Sequence, residues 1–202
     1  MNTKTARQIE EMKKQTIGVE IEMNSISRSK AAKLASQFFG TGRYKNTADR
    51  NSYCTWSAYD EQGREWKFQK DVSIAGIDSE KCEMVTPILN YSDIETLQEL
   101  VRILRKAGAK SDSTRGCGVH IHIGAKGHTA KTIRNLANIM ASHEQLLIDA
   151  LNLDEVRIRR YCKTVDPRFL EQVNRTRPET MSQLADVWYK SHDENYGRSH
   201  HY

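Results

Sequence analysis

The 202-residue chain has no apolar run of eighteen residues, and its first fifteen, MNTKTARQIEEMKKQ, are charged, with no apolar core of the signal-peptide kind. The expectation is a cytoplasmic protein without a membrane partner. Its four cysteines, Cys54, Cys82, Cys117 and Cys162, lack CxxC spacing, which speaks against a disulfide framework and a structural zinc site. Cys117 reads as a small inert core residue rather than a nucleophile. No internal repeat, low-complexity run or Gly/Ser-rich linker interrupts the chain, so solenoids and freely tethered domains are excluded and one main domain is expected. An excess of one charge is also missing: 31 basic residues against 26 acidic ones give a net +5. The densest basic stretch, 157–177 (RIRRYCKTVDPRFLEQVNRTR), serves phosphorylated small molecules as well as nucleic acid, and nucleic acid ranks second.

What the chain does carry is an interleaving of two periods. TIGVEIEM (16–23) alternates as a strand. SRSKAAKLASQFFG reads as a helix, with Ser27 or Ser29 as N-cap and Gly40 as the stop, and a polar loop is expected after it. Residues 52–60 and 64–70 read as a hairpin with Trp66 and Phe68 on one face. KDVSI and KCEMVTPIL predict a further strand ending at Pro87. SDIETLQELVRILRKAG predicts a helix with a Ser92–Glu95 capping box and Ile94, Leu97, Val101 and Leu104 on one stripe. CGVHIHIGA alternates again, and Thr129 opens a long helix through about residue 151, with Ile133, Leu136, Ala137, Met140, Leu147 and Leu151 near one face. A hairpin plus clean alternation predicts α+β: a curved antiparallel sheet with helices packed on one face.

On a strand, Glu20 and Glu22 share the face opposite Ile17, Val19, Ile21 and Met23. Their Cα atoms lie ~6.6 Å apart, and at an effective dielectric of ~20 two charges at that spacing repel by roughly 2.5 kcal/mol. Water, basic side chains or a metal ion must answer that repulsion. GVHIHI has the same design, with His120 and His122 opposite Val119, Ile121 and Ile123. Glu83 is a third acid within an apolar strand, and Asp71 and Ser73 add polar groups at a strand end. A majority of oxygen donors favours Mg2+ or Mn2+, while a histidine-dominated subset suits zinc. The plainer readings stand beside this one: Glu-x-Glu is also the ordinary solvated face of a sheet, and Glu83 could pair with a basic residue. By chemistry alone, Arg115, Arg157 and Arg160 are candidates for phosphate or carboxylate.

Taken in order, TIGVEIEM, DVS, CEMVTPIL and CGVHIHIGA resemble the successive motifs of the amidoligase family, relatives of glutamine synthetase and glutamate-cysteine ligase, over residues 16 to about 165, including MASHEQLL and RRYCK. The resemblance implies a glutamine-synthetase-like catalytic fold and ATP-dependent joining of a small-molecule or peptide carboxylate to an amine. It places residues 1–165 in a ligase-like core and 166–202 in an incomplete helical or irregular segment of the same domain. It makes Glu20, Glu22, Glu83, His120 and His122 the catalytic set. Glu20, Glu22, Glu83 and His120 would hold Mg2+ or Mn2+, and His122 would sit near nucleotide phosphate. The family pattern continues to a Thr-x-Glu-Phe-Arg strand, whereas residues 196–202 here read YGRSHHY, so a shortened chain with an open sheet edge, an oligomer or a completing partner is implied. Two other classes use the same residues: a metal-dependent hydrolase or nuclease, and a degenerate ligase fold that binds nucleotide without turnover.

Overall fold

A computed structural model describes residues 3–48 and 53–191, without the side chains of 160, 190 and 191. The chain divides into two compact units, residues 1–124 and 125–202.

The first unit is α+β. Its elements run α1 (Thr3–Lys13), β1 (Ile17–Met23), α2 (Arg28–Phe38), β2 (Tyr44–Asn46), β3 (Trp56–Tyr59), β4 (Glu65–Gln69), β5 (Cys82–Val85), α3 (Ile94–Lys106) and β6 (Val119–Ile123). Among the described residues the strands form one open antiparallel sheet in the order β2-β3-β4-β5-β1-β6. Alternation decides which side chains meet the helices. Val19, Met23, Ala58, Trp66, Phe68, Cys82 and Met84 point to one face and are buried with Ala31, Ala32 and Ala35 of α2 and Leu97, Leu100 and Leu104 of α3. Trp66 and Phe68 are wholly buried, each stabilising the fold by about 2–3 kcal/mol. Alanines on α2 let that helix lie close to the sheet, and Phe39 fills the gap with its ring 5.0 Å from that of Trp66.

Local signals account for most boundaries. Ser27 caps α2 by accepting from the Lys30 N–H, and Gly40 takes the left-handed φ of 70° that ends it. Three expectations change. The polar loop after α2 contains the short strand β2, too brief to show a period. KDVSI is not strand: residues 71–77 form bends, and the strand begins only at Cys82. The capping box before α3 is Asn90 with Asp93 rather than Ser92 with Glu95, because a 3-10 turn, Tyr91–Asp93, precedes the α-helix and moves the cap two residues back.

The second unit is helical: α4 (Ala130–Leu151), α5 (Glu155–Arg160), α6 (Pro167–Thr176) and α7 (Met181–Ser191). Thr129 caps α4, and Asp166 with Pro167 at the first position opens α6. Ala130, Phe169, Val173 and Leu184 form its core, with Ile133 and Ala137 against them. Leu136, Met140, Leu147 and Leu151, placed by periodicity on the same stripe, are exposed. Among the described residues, no helix is long and apolar enough to cross a membrane.

Candidate metal centre

The sheet face turned away from α2 and α3 carries the polar half of each alternating strand. Glu22 opposes Glu83 across β1 and β5, and Glu20 opposes His120 across β1 and β6, so register alone brings the two paired-ligand strands together. Gly18 opposes His122, whose Cβ and ring Cδ2 would lie in ordinary contact, 3.7 and 4.0 Å, with a Cβ added at Gly18.

One group of carboxylates stands out. Single oxygens of Glu22, Asp71 and Glu83 lie within 4.8 Å of one another. At that separation each pair of charges repels by about 3.5 kcal/mol at an effective dielectric of ~20. Glu22 and Glu83 are buried, and among the described residues no Lys or Arg nitrogen lies within 4.0 Å of any of the three. Their partners are neutral. Glu22 Oε2 accepts from the Gly118 N–H at 2.6 Å and Oε1 accepts from Ser73 Oγ at 3.4 Å. Glu83 accepts from the Gln69 amide at 2.8 Å, and Asp71 accepts from the Ser73 N–H at 2.6 Å. Burial raises the pKa of Glu22, with the Asp71 charge adding and the Gly118 hydrogen bond opposing. Burial also raises that of Glu83, helped by Glu20, Asp71 and Glu22 and opposed by Gln69. A clustered triad of oxygen donors, two of them buried, with no lysine or arginine partner among the described residues fits a hard divalent ion.

Glu20 lies beside the triad on the same face and holds the two histidines. Its Oε2 is 3.1 Å from His120 Nδ1 and its Oε1 is 3.5 Å from His122 Nε2. Both rings are more than half exposed and can turn toward a ligand.

The loop bearing Asp71 is fixed by backbone contacts. Ala75 N–H donates to the Arg115 carbonyl, the Asn24 amide donates to the Ala75 carbonyl, and Gly116 sits so close that an added Cβ would lie 2.6 Å from the Ser73 carbonyl oxygen. Gly116 has φ 73°, which lets the chain pass.

The sequence candidates therefore fall in different places. Glu20, Glu22, Glu83, His120 and His122 share one face, with Asp71 joining them from a loop. Arg115, in the turn Ser113–Arg115, pairs with Asp112 at 3.2 Å and donates to Asn24 Oδ1 at 3.4 Å, next to that loop. Arg157 belongs to α5 of the second unit, its guanidinium 5.1 Å from the centre of the Tyr161 ring. Arg160 ends α5, and its side chain lies outside the described residues. Asp71 was legible as a polar residue at a strand end but not as a ligand; the KDVS Asx turn was its signal.

The family model described as "Putative amidoligase enzyme" matches residues 13–202. No curated protein and no solved structure matches the chain.

Proposed function

The chain belongs to the amidoligase family, and from that premise we propose that it is an ATP-dependent carboxylate–amine ligase with a glutamine-synthetase-like catalytic unit. The observation that carries the metal part of this reading is the uncompensated triad of Glu22, Asp71 and Glu83. These three, with Glu20 and His120 beside them, would hold Mg2+ or Mn2+. When bound, the ion would neutralise polyphosphate charge and act as a Lewis acid toward it.

In the proposed reaction a substrate carboxylate oxygen attacks the γ-phosphorus of ATP, ADP leaves, and an amine nitrogen then displaces phosphate from the acyl carbon. The chain's contribution is positional. The Gly118 N–H and Ser73 fix the Glu22 carboxylate, Gln69 fixes Glu83, and Glu20 orients both imidazoles. Orientation by groups that need not reorganise is how such sites gain rate. His122, exposed beside His120 on the same face, would donate to a phosphate oxygen. Arg115, at the turn next to the Asp71 loop, is the guanidinium candidate for substrate anion within the first unit.

The test is calorimetry of Mg-ATP with the 202-residue chain beside Glu22→Ala, followed by ADP release with pooled amino acids. Loss of affinity by about 100-fold or more in the variant, with the far-ultraviolet dichroism unchanged, is expected. Equal Mg-ATP binding by both proteins would remove the metal assignment. Substrate cleavage without ATP would instead select the hydrolase reading.

A further inference from the structure

The same sheet face is polarised from one side to the other. Register carries a single row of side chains across it: Lys45 on β2 opposes Ser57, Ser57 opposes Lys67, Lys67 opposes Val85, Val85 opposes Glu20, and Glu20 opposes His120. Directly opposed residues share a face, and neighbouring strands are about 4.8 Å apart. Lys67 is thus rooted about 10 Å from Glu20, and Lys45 about 10 Å beyond Lys67.

The β2–β4 end of this face is cationic and under-neutralised. Arg43 and Lys45 both lie over the ring of Tyr59, 5.2 and 5.5 Å from its centre. The Tyr59 hydroxyl donates to Glu65 Oε1 at 3.3 Å, and Glu65 Oε2 lies 3.9 Å from Lys67. Of the three cations only Lys67 has an acid within 4.0 Å among the described residues, and Arg43 and Lys45 rest on the Tyr59 ring. Two like charges gathered on one aromatic ring, with the half-exposed Lys67 on the same face, make this end of the sheet positive.

We propose that Arg43, Lys45 and Lys67 form a second anion subsite, which binds a carboxylate of an acidic peptide whose reacting carboxylate lies at the acid and histidine end of the same face. The reacting end of this assignment rests on the ligase reading; the cationic end does not. Spacing favours a peptide, because three extended residues span about 10 Å, the separation of Lys67 from Glu20. A continuous phosphodiester would have to run its charges over Glu20, Glu22, Glu83 and Asp71, which among the described residues have no lysine or arginine partner. Spaced carboxylates avoid that collision.

The experiment is calorimetric titration of the full chain with tri-L-glutamate in the presence of Mg2+ and ADP, set beside tri-L-alanine and the Lys45→Met/Lys67→Met double variant. Both substitutions are of exposed lysines and keep the aliphatic length, so the fold is retained. Tri-glutamate affinity should fall about tenfold or more in the double variant, while Mg-ADP affinity stays within about twofold. Unchanged tri-glutamate affinity, or equal binding of tri-alanine, overturns the subsite. Tighter binding of a single-stranded oligonucleotide, lost in the double variant, overturns the peptide in favour of nucleic acid. If the wild-type chain fails to bind Mg-ADP yet binds tri-glutamate through the two lysines, the subsite stands and the ligase reading falls.

Discussion

Two acidic clusters occupy the first unit, and they are built in opposite ways. Asp60 and Asp93 close on Arg64: its Nε donates to Asp60 at 2.8 Å, while Nη1 and Nη2 donate to the two oxygens of Asp93 at 2.9 Å each. Burial alone would raise the Asp60 pKa, but hydrogen bonds from Trp66 Nε1 and from the backbone and side chain of Arg64 overturn it and leave the carboxyl lowered. The Arg64 hydrogen bonds likewise lower Asp93. Among the described residues Glu22, Asp71 and Glu83 have neutral donors only, and burial raises the two glutamates. The first cluster is complete within the chain and ties β4 to the start of α3. The second has no lysine or arginine partner among the described residues, the difference expected between a structural ion pair and the proposed metal centre.

The largest effect should come from breaking the complete cluster. Arg64→Met leaves the buried Asp60 and the largely buried Asp93 without their cation, and is expected to lower stability by about 3 kcal/mol in urea titrations. Mg2+ affinity should hardly change, because none of the triad's partners is touched. A variant as stable as the wild type would show that Arg64 is no more than a surface residue.

A smaller loss of stability, this time with an effect on Mg2+ binding, is expected from Gly116→Ala. Its Cβ would meet the Ser73 backbone oxygen at 2.6 Å, in a left-handed conformation that disfavours alanine. A cost of about 2 kcal/mol is expected, together with weaker Mg2+ binding as the Asp71 loop shifts. Unaltered Mg2+ affinity in this variant would show that the loop does not deliver Asp71 to the centre.

The subtlest test uses pH, since the two clusters respond with opposite signs. The folded state holds the Glu22 and Glu83 protons to higher pH than the unfolded chain does. Their contribution is present below the ordinary carboxylate range and is lost as pH rises through the raised values. Asp60 and Asp93 contribute above that range and lose their contribution as pH falls through the lowered values. Metal-free protein taken from neutral to mildly acidic pH should therefore gain stability before losing it at lower pH. Added Mg2+ should remove that gain, because it binds ionised carboxylates. Thermal melts across pH, with and without Mg2+, read both arms, and an identical profile in the two conditions would contradict the metal centre.

Several of these features were open to reading from the sequence. Glu20, Glu22, His120 and His122 announce a shared face because a strand repeats every two residues, and that period survives any fold in which the strands form. Ser27, Gly40 and Thr129 mark helix ends because capping is a local hydrogen bond. Neither the triad's Asp71 nor the ion-pair centre Arg64 was legible in its tertiary setting. Both act with partners more than ten residues away, such as Glu22 and Asp93, and no period or cap encodes such a meeting. The row from Lys45 to His120 was hidden for the same reason: each strand shows its own alternation, but not the strand it will lie beside.

By itself, then, the sequence determined which side chains each strand turns to one face, where the longer helices begin, and the family to which the motifs point. Tertiary structure decided which strands are neighbours, which carboxylates among the described residues lack a lysine or arginine partner, and which lysines share their face of the sheet. The physical reason is range: dihedral preferences and caps act within a few residues, whereas desolvation and charge pairing depend on atoms that only folding brings within a few ångströms.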